Sequence, residues 1–195
     1  MGSGKTTLLK LILGLYKPQS GSLLIDGIDQ NQIDPIDLRS NIGYVDQDSK
    51  LFYGTLRENI SMGFENVNDH NILEAVRLSG ANINPEQPDE TLDSVILSQG
   101  KNLSGGQKQS IALSRAVLFD QPLLVMDEPT SAMDQMMEDR LIERLSSYAK
   151  DKTLLLITHK PNMLKLCDRI IVLDQGRITF NGSKEQYVEL VKKNV

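Results

Sequence analysis

The chain has 195 residues, 39% of them hydrophobic, and carries a formal net charge of −5. That length can bury a substantial core in one domain, and the acidic balance argues against a large nucleic-acid footprint. The single cysteine, Cys167, excludes an internal disulfide framework and suits a reducing compartment, while no apolar run reaches the roughly 20 residues needed to span a bilayer.

The first stretch is Met1-Gly2-Ser3-Gly4-Lys5-Thr6-Thr7. Its glycines let main-chain N–H groups approach an anion, and a helix starting near Lys5 turns its positive dipole end toward that anion. Gly2, Ser3, Gly4, Lys5, Thr6 and Thr7 are therefore candidate ligands of a nucleotide's phosphates. Lys5 suits the outer phosphates, and the Thr6 hydroxyl suits a magnesium ion. The full pattern G-x-x-x-x-G-K-[ST] requires a glycine ahead of Met1 and a buried strand ahead of the loop. The sequence is therefore expected to begin inside the loop, with its first strands missing.

Leu8, Leu9, Ile12 and Leu13 recur at helical spacing, and Lys17-Pro18 ends that run. Residues 23–25 read as a short strand entering a turn at Asp26-Gly27, and 34–40 as a short helix or loop. Residues 42–45 form a strand with Gln47 just past its end, where open α/β sheets place ligand-binding groups. The pattern then turns helical. Thr55-x-x-Glu58 and Ser104-x-x-Gln107 match capping boxes, 69–78 is an amphipathic helix stopping at Ser79-Gly80, and 82–88 is a loop. Buried strands are expected at 123–126 and 154–157, on either side of a helix marked by Leu141 and Leu145. A hairpin over 170–180 turns at Asp174-Gln175-Gly176, and a helix capped by Ser183 carries Tyr187, Leu190 and Val191. The expected organisation is a single domain over 1–195, with an α/β core of 1–48 and 119–195 and an inserted helical subdomain of 49–118.

Two constellations carry chemistry. The apolar strand ending in Asp127-Glu128 delivers adjacent carboxylates, Asp127 for Mg²⁺ and Glu128 to polarise a water for attack on a γ-phosphate. Ser104-Gly105-Gly106-Gln107 places a hydroxyl and two glycines at a helix start, a second anion site. Two such sites on one chain make sense if two chains face head to tail, each ATP closed by the partner's Ser104 segment.

With these motifs the chain resembles the nucleotide-binding domain of ABC transporters, over essentially all its length. Leu103 to Gln107 matches the signature motif. Asp127 to Asp134, with Ser131, resembles the Walker B end and D-loop. Gln47 sits where the family has its Q-loop, and His159 where it has its H-loop. The resemblance implies a P-loop NTPase core with a mostly parallel sheet and an inserted signature subdomain, using ATP and Mg²⁺. It further implies that Gln47 senses Mg²⁺ and the attacking water, and that His159 contacts the γ-phosphate. The implied partners are a second nucleotide-binding domain, identical or not, and a transmembrane domain, fused or separate, at the cytoplasmic face of the cell membrane; nucleic acid is not among them.

Residues 51–60 resemble the exporter segment that meets the coupling helices. Residues 33–39 are similar to type I secretion ATPase-permeases, which implies a protein or peptide cargo. Ile96 to Gly100 stands where exporters usually carry a Glu-containing loop, and Met133 replaces the usual Leu of the D-loop. The aromatic residue that stacks on adenine in this family would precede Met1. A soluble ABC ATPase acting on DNA would insert a long coiled coil between Gln47 and Ser104, which are only 57 positions apart (104 − 47). The remaining alternative is a truncated product that keeps the motifs but does not bind ATP unaided.

Overall fold

Helix α1 (Lys5–Ile12) follows directly on the glycine turn, and its apolar face buries Leu9 completely. It is shorter than the apolar spacing suggests, because Gln30 donates its side-chain amide to the carbonyls of Leu11 and Ile12 at 3.0 and 2.8 Å and closes the helix there. The computed structural model describes residues 3–48, 50–64, 66–81 and 91–193. Gly2 and the expected loop at 82–88 lie outside them. The chain divides into two compact units, one of residues 1–42 and 160–195, the other of residues 43–159.

In the first unit, strands β1 (Leu24–Ile25) and β2 (Ile28–Asp29) form a tight antiparallel hairpin. Its two turn residues, Asp26 and Gly27, both take left-handed angles, as a two-residue hairpin turn requires. Helix α2 (Pro35–Ser40) starts at Asp34, whose carboxylate accepts from the Ile36 N–H at 2.7 Å, with Pro35 in the first turn. The residues around 34–40 thus resolve to a helix. Strands β8 (Arg169–Asp174) and β9 (Arg177–Ser183) make the expected hairpin. The final helix, α7 (Lys184–Lys193), is capped reciprocally by Ser183 and Gln186. Its apolar face is only half covered: Val188, Leu190 and Val191 stay above 40% exposed.

In the second unit, β3 (Ile42–Val45), β6 (Leu123–Asp127) and β7 (Thr153–Ile157) form one sheet in the order β3-β6-β7. Strands β6 and β7 run parallel, with Asp127 opposite Ile157. Helix α6 (Gln135–Tyr148) connects them, as a parallel pair requires. The helices α3 (Leu56–Ser61), α4 (Asp69–Ser79) and α5 (Gly105–Val117) all belong to this unit, and Ser79 of α4 hydrogen-bonds Ser114 of α5 in the interior at 2.8 Å. Both expected capping boxes form, at Thr55/Glu58 and Ser104/Gln107. The helical reading of this block overlooked a small antiparallel pair, β4 (Gly54–Thr55) with β5 (Val95–Ile96). Two-residue strands give no alternation long enough to be legible.

Candidate functional site

In the first unit, the candidate residues lie on the glycine turn. Gly4 is the N-cap of α1 at φ +95°, and no side chain caps the helix among the described residues. A left-handed angle there is open to glycine and strained for other residues. The N–H groups of the first turn therefore remain available to an anion. Lys5 Nζ donates to Ser3 Oγ at 2.9 Å, which holds the ammonium beside that turn. Thr6 and Thr7 are exposed. The loop is braced from behind: Gly176 N–H, in the β8–β9 turn, donates to the Ser3 carbonyl at 3.2 Å. An uncapped helix start with a lysine on its first turn has the chemistry to cradle phosphate.

In the second unit, the candidate residues gather at the carboxyl end of β6. Leu124, Val125 and Met126 are fully buried and Asp127 is 4% exposed, so the strand carries a carboxylate out of an apolar interior. Tyr44 on the neighbouring β3 lies close enough to feel Asp127. Burial first, then the charges of Asp46 and Asp127, push its hydroxyl up to about 12. It therefore remains a neutral phenol, hydrogen-bonded to Asp46. Gln47 stands exposed in the turn after β3.

Glu128 follows Asp127 with φ +48°, left-handed for a residue that has a Cβ. Its N–H donates to the Ile157 carbonyl at 2.9 Å and its own carbonyl accepts from Ser131 N–H at 3.2 Å. These bonds carry the β6–β7 ladder one step past the sheet and then turn the chain. The turn aims the carboxylate at His159, just beyond β7. His159 N–H donates to Glu128 Oε2 at 3.3 Å, and His159 Nε2 lies 3.5 Å from Oε1. That Oε1 is buried and accepts no hydrogen bond among the described residues. A carboxylate with one oxygen held by a backbone N–H and the other accepting no hydrogen bond among the described residues keeps acceptor capacity for a proton. The neighbouring imidazole, largely exposed, is free to face a ligand.

The signature stretch starts α5. Ser104 Oγ accepts from Gln107 N–H at 3.2 Å, while Gln107 Oε1 accepts from Ser104 N–H at 2.9 Å. Ser104 and Gly105 are exposed, and Gly106 is buried. A Cβ on Gly105 would sit 2.9 Å from Ala132 Cβ, and one on Gly106 would meet Met137 Cε at 3.3 Å. The glycines thus let the helix start lie against the Ser131–Ala132 turn. Asp134 caps α6, its carboxylate accepting from Met137 N–H at 2.8 Å.

The structure brings Glu128, His159, Ser131 and the signature glycines into one neighbourhood. Two residues of α5, one in that neighbourhood and one at the 50–59 segment, are not singled out by the sequence. Gln109 is buried on α5 and bonds Glu128, Ser131 and Ala132. Its signal was a polar residue opening the core-facing stripe Gln109, Ala112, Leu113, Ala116. Arg115 donates from α5 to the carbonyl of Asn59 at 2.6 Å and to that of Lys50 at 2.8 Å, tying down the segment that exposes Tyr53.

A glycine turn opening a lysine-bearing helix and a strand ending in adjacent carboxylates are the marks of a P-loop nucleotide-binding domain, and comparison with known proteins agrees. The family model described as ABC transporter matches residues 1–131. This chain belongs to that family. ComA of Streptococcus pneumoniae, a transport/processing ATP-binding protein, is 40% identical over 93% of this chain and 25% of its own length. The lactococcin-A transport/processing protein LcnC of Lactococcus lactis is 38% identical over 99% of this chain and 26% of its own. The alpha-hemolysin translocation protein HlyB of Escherichia coli is 37% identical over 96% and 26%. A bacterial Atm1-family ABC exporter solved with ATP bound superposes with a TM-score of 0.86 at 30% identity, over 99% of this chain and 33% of that one. The chain therefore spans about a quarter to a third of these relatives. Among the described residues, no helix is long and apolar enough to cross a membrane.

Proposed function

We propose that this chain is the ATP-hydrolysing motor of an ABC exporter, working as a pair of nucleotide-binding domains on a transmembrane domain at the cytoplasmic face of the membrane. Lys5 and the N–H groups after Gly4 hold the phosphates of ATP. Thr6, Asp127 and Gln47 are the residues that would hold Mg²⁺, which when bound neutralises phosphate charge. Glu128 accepts a proton from the attacking water, and His159 faces the γ-phosphate. Ser104, Gly105, Gly106 and Gln107 close the ATP of the partner domain, with Ser131 and Asp134 in the adjoining D-loop. The 49–118 block acts as the helical subdomain that passes movement to the membrane through the Gln47 turn and the Phe52–Tyr53 segment. Secretion of a protein or peptide is the cargo class favoured by the likeness to ComA, LcnC and HlyB.

The observation that carries this reading is the Glu128 carboxylate, held on one oxygen by His159 N–H, with the other 3.5 Å from His159 Nε2 and accepting no hydrogen bond among the described residues. Its test is Glu128→Gln, followed by ATP turnover and by the thermal shift with Mg-ATP. Turnover is expected to fall on the order of a hundredfold or more while the shift is kept, the size of effect a general base supplies. Retained turnover would overturn the assignment.

A further inference from the structure

We infer that Gln109 is a positioning residue for hydrolysis: its side-chain amide fixes the turn that carries Glu128 to the helix that begins at the signature. The inference rests on the proposed role of Glu128. Gln109 Nε2 donates to Ser131 Oγ at 2.6 Å and to the Glu128 carbonyl at 3.3 Å, while Oε1 accepts from Ala132 N–H at 2.9 Å. One amide thus grips both ends of the 128–132 turn. The residue is only 7% exposed, so these bonds are sheltered from water, and a group left unpaired there is costly.

The turn needs such a grip. Glu128 sits in the left-handed region at φ +48°, a conformation that persists only where the surroundings over-determine it. The bonds to Ile157 on β7 and to Ser131 hold the Glu128 backbone, and Gln109 adds a further brace from α5. Without the amide, the turn can relax toward ordinary backbone angles, and the carboxylate would swing away from the His159 N–H. The polar contacts of Gln109 are with the 128–132 turn, so the change should appear in the chemical step and not in the capture of ATP.

The test measures steady-state ATP hydrolysis and the Mg-ATP thermal shift on the full-length protein, comparing wild type, Gln109→Ala, Gln109→Glu, Glu128→Gln and the Gln109→Ala/Glu128→Gln double variant. Gln109→Glu keeps the shape and the acceptor for Ala132 N–H but loses both donors, so it carries the test if the alanine variant folds poorly. Losing the donors is expected to lower kcat about tenfold, with KM for ATP and the thermal shift unchanged within about twofold. In the Glu128→Gln background, the same alanine change should lower the residual rate no further, since residues acting through one group are not additive. A folded Gln109 variant with wild-type kcat, a KM rise that accounts for the loss, or an undiminished effect in the Glu128→Gln background would each overturn the inference. If Glu128→Gln itself turned over normally, the role of Glu128 would fall and this inference with it. A slow Glu128→Gln beside a silent Gln109→Glu would remove Gln109 alone.

Discussion

Two helices among the described residues start beside glycines in motifs read here as anion sites, and they start differently. The first, α1, begins at Gly4 with no side chain on its leading N–H groups. The signature helix, α5, begins at Ser104 and is closed by a reciprocal pair of hydrogen bonds with Gln107. An open start keeps its donors and its dipole for a whole phosphate group. A capped start has already used a donor internally, yet the Ser104 hydroxyl keeps its own proton. It accepts from Gln107 N–H on one side and can donate outward on the other. The open start is therefore fit to hold an anion alone, and the capped start to add one directed contact to an anion held elsewhere. That division matches a site that captures nucleotide and a corner that closes over one.

The sharpest way to break this contrast is Lys5→Ala. Ligand at a hundred times Kd adds about 2.7 kcal/mol to a folded protein, and the variant is expected to lose that gain entirely in a Mg-ATP thermal-shift titration. A persisting shift would mean that α1 is not the capture site. Ser104→Ala should act more mildly and elsewhere. Loss of the cap costs about 1 kcal/mol, or roughly 2–4 °C in Tm for a domain of this size, while the ATP-induced shift survives and hydrolysis by the paired domains falls. If Ser104→Ala abolished the shift as Lys5→Ala does, the two starts would have the same role.

The far end of α5 offers a smaller effect with a definite sign. Lys152 Nζ lies 2.8 Å from Asp120 Oδ1 and also bonds the carbonyls of Asp120 and Gln121. The hydrogen bond from Lys152 first, with help from Tyr148, holds the Asp120 carboxyl below its usual range. A lowered folded pKa stabilises the protein above the ordinary carboxylate value near ~4, and that stability is lost as pH falls through the folded value. The carboxylate is 77% exposed, so solvent screening leaves about 0.5 kcal/mol. Asp120→Asn should therefore unfold at lower denaturant than wild type at pH 7 and match it at pH 3. A gap that persists at pH 3 would assign the effect to something other than this charge.

Much of this was legible in the sequence because its signals are local. The strand over 42–45, the helix stopping at Gly80, the two capping boxes and the Ser183 cap each rest on a few adjacent residues whose chemistry fixes backbone hydrogen bonds. Asp127, Glu128 and His159 could be placed at strand ends for the same reason. The arrangement between them was not legible. The left-handed angle at Glu128 depends on a bond to Ile157, 29 positions later (157 − 128), and the stripe that Gln109 opens marks it as core-facing without saying which turn it holds. The β4–β5 pair was missed because it joins residues about forty positions apart through two-residue strands. The half-exposed face of α7 shows the converse: amphipathic spacing states which side is apolar, not what covers it.

The rung that joins Glu128 to Ile157 also bears on how such a domain can vary. The carboxylate and the imidazole meet because two neighbouring strands keep their phase, Asp127 beside Ile157, and not because the crossover between them has a given length. Extra residues inserted after Tyr148, ahead of β7, would lengthen the return path without shifting that phase. Removing one residue within β7 would shift every later side chain to the opposite face of the sheet and carry His159 away from its carboxylate. Variation in length is therefore tolerable in the crossover and intolerable in the strand that ends it.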